Sequence, residues 1–415
     1  MTTFEELYKR LVKASVEERE NDELEQIRKE DYDPYHLDCL LNPQKHSVVL
    51  KLGECDCPDS DTKSCKIKCS FDALYNDDGN IKINKDSCTG CCDCIDSCKA
   101  EKIKASRDIL PALKTIHSKK GPVYALIAPA FVGQFSETVT PGKLRTAFKK
   151  LGFDGMVEVA LFADILTLKE ALEFDQNINN ENDYQLTSCC CPVWIAMIRK
   201  IYNELIPHVP GSVSPMIACG RTVKKLHPDA TTIFIGPCIA KKAEAREPDL
   251  VGAIDYVLTF QEIQDVFDFA GIDPIKMEET TKDHSSRGGR IYARSGGVSE
   301  AVRSTVEYLN PNRKISVRTQ KADGVKECKA MINSVLKGKF NANFFEGMGC
   351  IGGCVGGPKA IIDREKGREH VNEYGEQASY KTPIDNPYVI ELLHRLGFDT
   401  VEDFLESSDI FIRQF

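Results

Sequence analysis

A large α/β domain preceded by a small α+β module is the fold class this sequence predicts, and three observations predict it. From Val123 onward, apolar strand-like runs alternate with amphipathic helical runs, the pattern of helices laid on a mostly parallel sheet. Nine of the eighteen cysteines crowd between Cys55 and Cys98, around two short strand-like runs joined by Asp78-Gly79, a hairpin signature. Other clustered cysteines fall in three short, widely separated segments, Thr187–Trp194, Gly236–Lys242 and Glu346–Pro358. Open α/β sheets bind ligands where their strands end, and several of these segments follow strand-like runs.

The totals narrow the function classes. With 415 residues, 42% of them hydrophobic, the chain can hold two or three domains with at least one full-sized core. A net charge of −9 gives no support to broad nucleic-acid binding. The opening TTFEELYKR lacks the positive-then-apolar order of a secretory signal. The best apolar run, Tyr124–Val132, is about half as long as a membrane span requires. The plain reading is a soluble cytoplasmic protein. Disulfide scaffolds are usually small and secreted, so clustered cysteines here, three of them consecutive at Cys189–Cys191, suit thiolate ligation. Cys39, Cys219 and Cys328 stand alone and read as small buried hydrophobes.

Taken in order, residues 1–50 begin with an amphipathic helix, FEELYKRLVKA, followed by a charged run to Asp33-Pro34 that reads as a solvated face or linker. His36, Cys39 and His46 match no familiar zinc spacing. In residues 51–104, Cys88-x2-Cys91-x2-Cys94-x3-Cys98 is the bacterial ferredoxin run, and Cys55-x-Cys57-x7-Cys65-x3-Cys69 is an irregular first half. The module looks like a two-cluster ferredoxin domain. Crossed ligation would then assign Cys69, Cys88, Cys91 and Cys94 to one 4Fe–4S cluster, and Cys55, Cys57, Cys65 and Cys98 to the other. Cys92 is a spare thiol, and a zinc-binding module is the alternative. Lys99, Lys102 and Lys104 form either a solvated face or a docking patch for an acidic carrier. Residues 105–380 read as a helix over Ser106–His117, a strand in VYALIAPAF, a helix in GKLRTAFKKLGF, a second strand in GMVEVALF and a helix in TLKEALEFD. TTIFIGP is a strand running into Cys238, and Phe260–Asp268 and Glu300–Tyr308 are helical. Residues 381–415 hold a helix from Pro387 to Leu396, then a short amphipathic helix and tail.

The three remaining cysteine segments carry the chemistry. Pro192 suits a first helical turn, which would put a Cys191 thiolate at a helix N-terminus, where its anion is favoured. Cys350 and Cys354 lie one helical turn apart among six glycines. Those glycines permit close backbone approach and N–H groups aimed at sulfur, though a tight structural loop explains them equally well. Read together, TSCCCPVW, PCIAKKAE and EGMGCIGGCVGGP resemble the signatures of the iron-only (FeFe) hydrogenase family, and with the ferredoxin-like module the resemblance covers roughly residues 50–400.

That resemblance implies an α/β hydrogenase catalytic domain behind a ferredoxin-like one. Its cofactor would be an H-cluster: a 4Fe–4S cubane on Cys191, Cys238, Cys350 and Cys354, with Cys354 bridging to a two-iron centre carrying carbon monoxide, cyanide and a dithiolate. Cys190 would be the proton-transfer thiol, on the match through Cys-Pro-x-Trp. Matching on Thr-Ser instead moves both assignments one residue earlier and leaves a different spare than Cys189. Glu170 and Glu173 match the relay carboxylates, three apart on one helix face. The serine that usually separates them maps near Pro210, with Ser212 or a water as the substitute. Lys241 matches the cyanide-binding lysine, Met348 the methionine over the bridging carbonyl, and Tyr292 and Ser295 a cluster-lining loop. Glu244 reads as a structural salt-bridge partner. Gly236 stands where the family often has methionine, so packing there should be looser or refilled by a neighbour.

The function so implied is reversible oxidation of H2 and reduction of protons, with electrons exchanged with a ferredoxin-like carrier and the centre installed by maturation proteins. No Gly-x-Gly-x-x-Gly dinucleotide fingerprint is visible. A redox or hydrogen sensor of the same fold and a non-catalytic iron–sulfur assembly protein are the alternatives.

Overall fold

The computed structural model describes every residue except 56, 58–62, 119, 188, 189, 407 and 408. Four parallel strands form its larger sheet, in the spatial order Gly155–Glu158, Val123–Ile127, Thr231–Gly236, Tyr256–Thr259. Residues 125–127 and 232–236 are buried without interruption, as a parallel sheet covered on both faces demands. A smaller parallel sheet runs Thr319–Asp323, Phe344–Met348, Gln185–Leu186, and its central strand is wholly buried. Cys238 follows the end of Thr231–Gly236, Cys350 follows Phe344–Met348, and Cys190 follows Gln185–Leu186. All three segments therefore issue from the C-terminal ends of parallel strands.

The second expected strand is shorter than GMVEVALF. It ends at Glu158, and Ala160 already begins the helix Ala160–Asn177. That helix is buried without a break from Phe162 to Ala171, packed against Arg287–Ile291, Gly297–Leu309 and Pro215–Leu226. A helix covered on all sides carries apolar residues all round, so VALF has no period that separates it from a strand. The helix expected over Ser106–His117 begins later, at Ile109. Ser106 instead continues the ladder of the antiparallel pair Val49–Lys51 and Ile103–Ala105, donating its N–H to Val48 O at 2.9 Å.

The first helix of the N-terminal segment is docked on the core, and the charged run after it is largely a solvated face, with only Glu23 and Ile27 buried. The helix Phe4–Val16 starts on a Thr3 capping box and buries Phe4, Leu7, Tyr8 and Leu11 in the same core as Ile263 and Phe267 of the helix Phe260–Ala270. The Tyr8 hydroxyl donates to Asp265 at 2.7 Å, and Arg107 lies over the Tyr8 ring. The charged run contains a further helix, Glu20–Ile27, whose buried Glu23 accepts from Arg10 at 2.7 Å and Arg19 at 2.9 Å. Cys39 is fully buried, and the His46 ring bonds Asp38 at 2.6 Å. Cys219 and Cys328 are buried too, as expected of isolated cysteines.

At the other end, Pro387–Arg395 and Val401–Glu406 are helices. The tail then returns to an isolated antiparallel bridge between Ser212 and Ile412: Val213 N–H donates to Phe411 O at 3.0 Å and Arg413 N–H to Gly211 O at 2.9 Å. Among the described residues no helix is long and apolar enough to cross a membrane.

Candidate functional site

The cysteine-rich module is built on the hairpin Leu74–Asp77 and Asn80–Ile83, whose Asp78 and Gly79 take φ of 46° and 84°. Two positive φ values define a type I′ turn, whose twist matches the strands it joins. Around it the thiols form two neighbourhoods. Burial and the nearby Cys91, Cys88 and Cys69 thiols push Cys94 up, and Cys91 is pushed up to about 12 by burial, Asp93, Cys88 and Cys69. Separately, Cys65 is raised by burial and by Cys98 and Cys55. Backbone N–H groups point at sulfur in both sets, Ala73 to Cys69 at 3.3 Å and Ile81 to Cys55 at 3.5 Å. Cys57 is exposed. Cys92 is buried at φ 73°, and Cys91 and Cys238 are both among the groups that raise it. Gly90 lies so close to Ala240 that an added Cβ would stand 3.0 Å from its backbone. The module is thus seated directly on the segment after Cys238.

The larger constellation assembles from the strand ends. Cys191 caps the helix Pro192–Ile201, with Pro192 in its first turn as expected, and receives the Gly349 N–H on its sulfur at 3.2 Å. Trp194 of the same helix fills the space a side chain at Gly347 would need, which locks the helix start to the strand Phe344–Met348. Cys350 and Cys354 do not share a helical turn. Gly352 and Gly353 take φ of 84° and 86°, and a 3-10 turn, Cys354–Gly356, follows. This left-handed pair lets the loop lie against residues 293–295: Ser295 N–H donates to Gly352 O at 2.9 Å, and Arg294 and Gly353 form an antiparallel bridge.

Four thiols from three segments so become neighbours. Burial, then Cys238, Cys191 and Cys354, raise Cys350 well above a free thiol. Cys354 is pushed up to about 12 by burial, Cys191 and Cys238, and Cys238 to about 11 by burial and Cys191. Crowded thiols that oppose one another's ionisation become thiolates readily only around a cation, which is the chemistry of an iron–sulfur core. Among the described residues no three His, Cys, Asp or Glu side chains gather closely enough for a single metal ion. A cubane places each thiolate on a separate iron, so its donors stand wider apart. The Ser295 hydroxyl, buried beside the loop without a hydrogen-bond partner, is a further polar group left for a ligand. The donor set fits the cluster the resemblance implies.

The other sequence-expected residues surround this centre unevenly. Cys190 is partly buried and its thiol is raised by burial, Cys191 and Glu170. The Tyr292 hydroxyl and Thr167 Oγ1 are 2.9 Å apart, and Glu170 is among the groups that raise Tyr292 after burial. Met348 is buried at the end of its strand. Lys241 is buried, and burial works against its ammonium. Glu244, paired at 2.7 Å, and the Cys238 and Cys354 thiols more than offset this, so its pKa is raised. Glu170 is buried, whereas Glu173 forms an ion pair with Lys169 and leaves its Oε2 buried without a hydrogen bond. Ser212 is buried with its hydroxyl unpartnered, engaged through its backbone in a bridge to Ile412. The Gly236 position is refilled: a Cβ there would stand 2.8 Å from the Phe234 ring and 3.0 Å from Ala128. Cys189, the spare of the triplet, lies outside the described residues.

Two residues escaped the sequence reading. Glu346 opens the third motif, and its buried carboxylate accepts N–H groups from Gly296 at 2.7 Å and Ser299 at 2.8 Å, pinning the 292–296 loop beside the site. Lys169 is a lysine inside a run otherwise dominated by apolar residues, a signal visible in ALFADILTLKEALEF once that run is read as a buried helix.

Two parallel sheets presenting clustered thiols at their strand ends, with a cysteine-rich module against them, define an α/β protein built around thiolate donor sets. More particularly, the chain belongs to the iron only hydrogenase large subunit family, whose C-terminal domain matches residues 121–358. It is 29% identical over 290 residues to iron hydrogenase 1 of Clostridium pasteurianum, covering 60% of this chain and 49% of that protein. The chain thus spans about half the length of that relative. It is 25% identical over 406 residues to cytosolic iron-sulfur assembly component 3 of Pongo abelii, covering 79% of this chain and 84% of that protein. Its fold is similar to that of an apo FeFe hydrogenase of Chlamydomonas reinhardtii, with a TM-score of 0.60 at 21% identity over 73% of this chain and 98% of that one.

Proposed function

We propose that this protein interconverts H2 with two protons and two electrons, exchanging the electrons with a ferredoxin-like carrier. Cys191, Cys238, Cys350 and Cys354 would hold a 4Fe–4S cubane, with Cys354 bridging to a two-iron centre. When bound, that H-cluster supplies the redox and hydrogen chemistry. The chain's own residues position it and move protons. Lys241 sets a buried ammonium beside Cys238 and Cys354, an electrostatic anchor for an anionic ligand such as cyanide. Met348, Tyr292 and Ser295 would stand around the cluster. Cys190 exchanges the proton and passes it to Glu170 and then Glu173. In the module of residues 51–104, Cys69, Cys88, Cys91 and Cys94 would hold the nearer cluster, and Cys55, Cys57, Cys65 and Cys98 the outer one. The contact of Gly90 with Ala240 supports electron passage from the nearer cluster to the cubane.

The observation that carries this reading is the convergence of four thiols from three strand ends, inside the span that matches the family. The competing reading, a non-catalytic assembly protein, is favoured by the long alignment to the Pongo abelii component. Supplying the reconstituted protein with a two-iron centre separates them. Catalysis gives H–D exchange and infrared bands of iron-bound carbon monoxide and cyanide. A protein that carries cubanes but shows neither signal overturns the proposal.

A further inference from the structure

Lys169 is a cation in an unexpectedly buried setting. Its side chain is 1% exposed, on the helix Ala160–Asn177, and its ammonium is bonded to Glu173 Oε1 one turn further along. Glu173 is itself only 16% exposed, and its second oxygen is buried with no hydrogen bond. An ammonium in such a place is tolerated because the carboxylate stays ionised beside it; protonating that carboxylate leaves a buried, unpaired cation. Yet Glu173 is the outer carboxylate of the proposed proton route, and a relay group works by alternating between its charged and neutral forms.

We infer that Lys169 is a gate on that route. Its ion pair holds Glu173 as carboxylate, so a proton passes only when the pair opens. The inference rests on the proposed reading of Cys190, Glu170 and Glu173 as a proton path. In the outward direction the Cys190 thiol gives a proton to the Glu170 carboxylate, and Glu170 passes it to Glu173. The resulting Glu173 carboxylic acid no longer pairs with the ammonium. Release of the proton to water restores the pair and both carboxylates, and leaves Cys190 as the thiolate that accepts the next proton. Burial, the larger effect, leaves Glu173 raised above the ordinary carboxyl value, and the Lys169 ammonium works against it. The relay group is therefore poised between two opposing effects, and Lys169 is a positioning residue that tilts it toward the charged form.

Three variants test this. Lys169→Met keeps the length and apolar stem of the side chain but removes the charge. Lys169→Arg keeps a cation that cannot give up its proton. Glu173→Gln identifies the carboxyl signal. In the cofactor-free protein at neutral pH, infrared difference spectra against Glu173→Gln are expected to show a carboxylate at Glu173 in the wild type and in Lys169→Arg. In Lys169→Met they are expected to show the stretch of a protonated acid. In the matured enzyme, proton-reduction turnover of Lys169→Met is expected to rise about tenfold, the effect of relieving one pKa unit, while Lys169→Arg stays near wild type. An unchanged Glu173 signal in Lys169→Met overturns the gate, whatever the activity. Loss of turnover in both lysine variants overturns it too, and makes Lys169 itself a proton carrier. If matured wild type shows neither H–D exchange nor carbonyl bands, it is the hydrogenase reading that fails, while the infrared result on the cofactor-free protein still decides whether Lys169 controls the charge of Glu173.

Discussion

Replacing Gly353 by Ala should separate the loop that carries Cys350 and Cys354 from the loop it rests on. Gly353 adopts φ 86° and ψ −151°, a region open essentially to glycine alone, where a Cβ costs about 1–3 kcal/mol. The added methyl group would also stand 2.7 Å from Ser295 N and 2.9 Å from Arg294 C, both backbone atoms of the paired segment. Neither can rotate away, so an overpacking cost of about 1–3 kcal/mol is added. Together these give a loss of roughly 2–6 kcal/mol, large against the stability of a typical domain. Gly252→Ala is the control: its φ is 91°, but nothing lies within 4 Å of the new methyl group, so only backbone strain is expected. Urea unfolding of the cofactor-free proteins reads the stability difference, and iron analysis after cluster reconstitution reads the site. Gly353→Ala is expected to unfold at clearly lower urea than Gly252→Ala and to bind about one cubane fewer. Equal midpoints and full iron content in both variants would refute the claim that apposition of the two loops builds the four-thiol site.

Three further outcomes follow from the same geometry. Cys190→Ala should keep the wild-type iron content and lose turnover by at least about a hundredfold, the usual scale of a general acid–base group; loss of the cubane would instead show that the neighbouring assignment in the triplet is the right one. Gly236→Met should destabilise by about 1–3 kcal/mol, because Phe234 and Ala128 occupy the space, and Phe234→Ala should restore much of that loss in chemical unfolding. Burial raises the Glu23 carboxyl, but Arg10 and Arg19 more than offset it, so its folded pKa lies below the ordinary 4.5. Its contribution is therefore present above that value and lost as pH falls through the folded pKa. Glu23→Gln should lower stability by about 1–3 kcal/mol at neutral pH, with the difference shrinking in acid; a pH-independent difference would count against the ion pairs as its cause.

Much of the molecule was readable from residue order because its signals are local. The Pro192 helix start, the Asp78-Gly79 turn and the strand before Cys238 each rest on backbone preferences spanning a few residues. The N-terminal segment resisted the same treatment. Its charged run reads as a solvated face and largely is one, but the burial of Glu23 between Arg10 and Arg19 depends on how two helices fold back on one another. The second strand was overextended for a related reason, since residues buried on every side lose the periodicity that separates helix from strand.

By itself, the sequence determined the α/β class, the cysteine-rich module and the identity of the thiols available for ligation, because residue chemistry and spacing carry that information along the chain. Only the tertiary structure decided that Phe234 fills the space at Gly236 and that Lys169 lies buried against Glu173. Those outcomes depend on which surfaces meet when distant elements pack. A charge or a cavity acquires its energy from what surrounds it in space, and sequence neighbours do not record that.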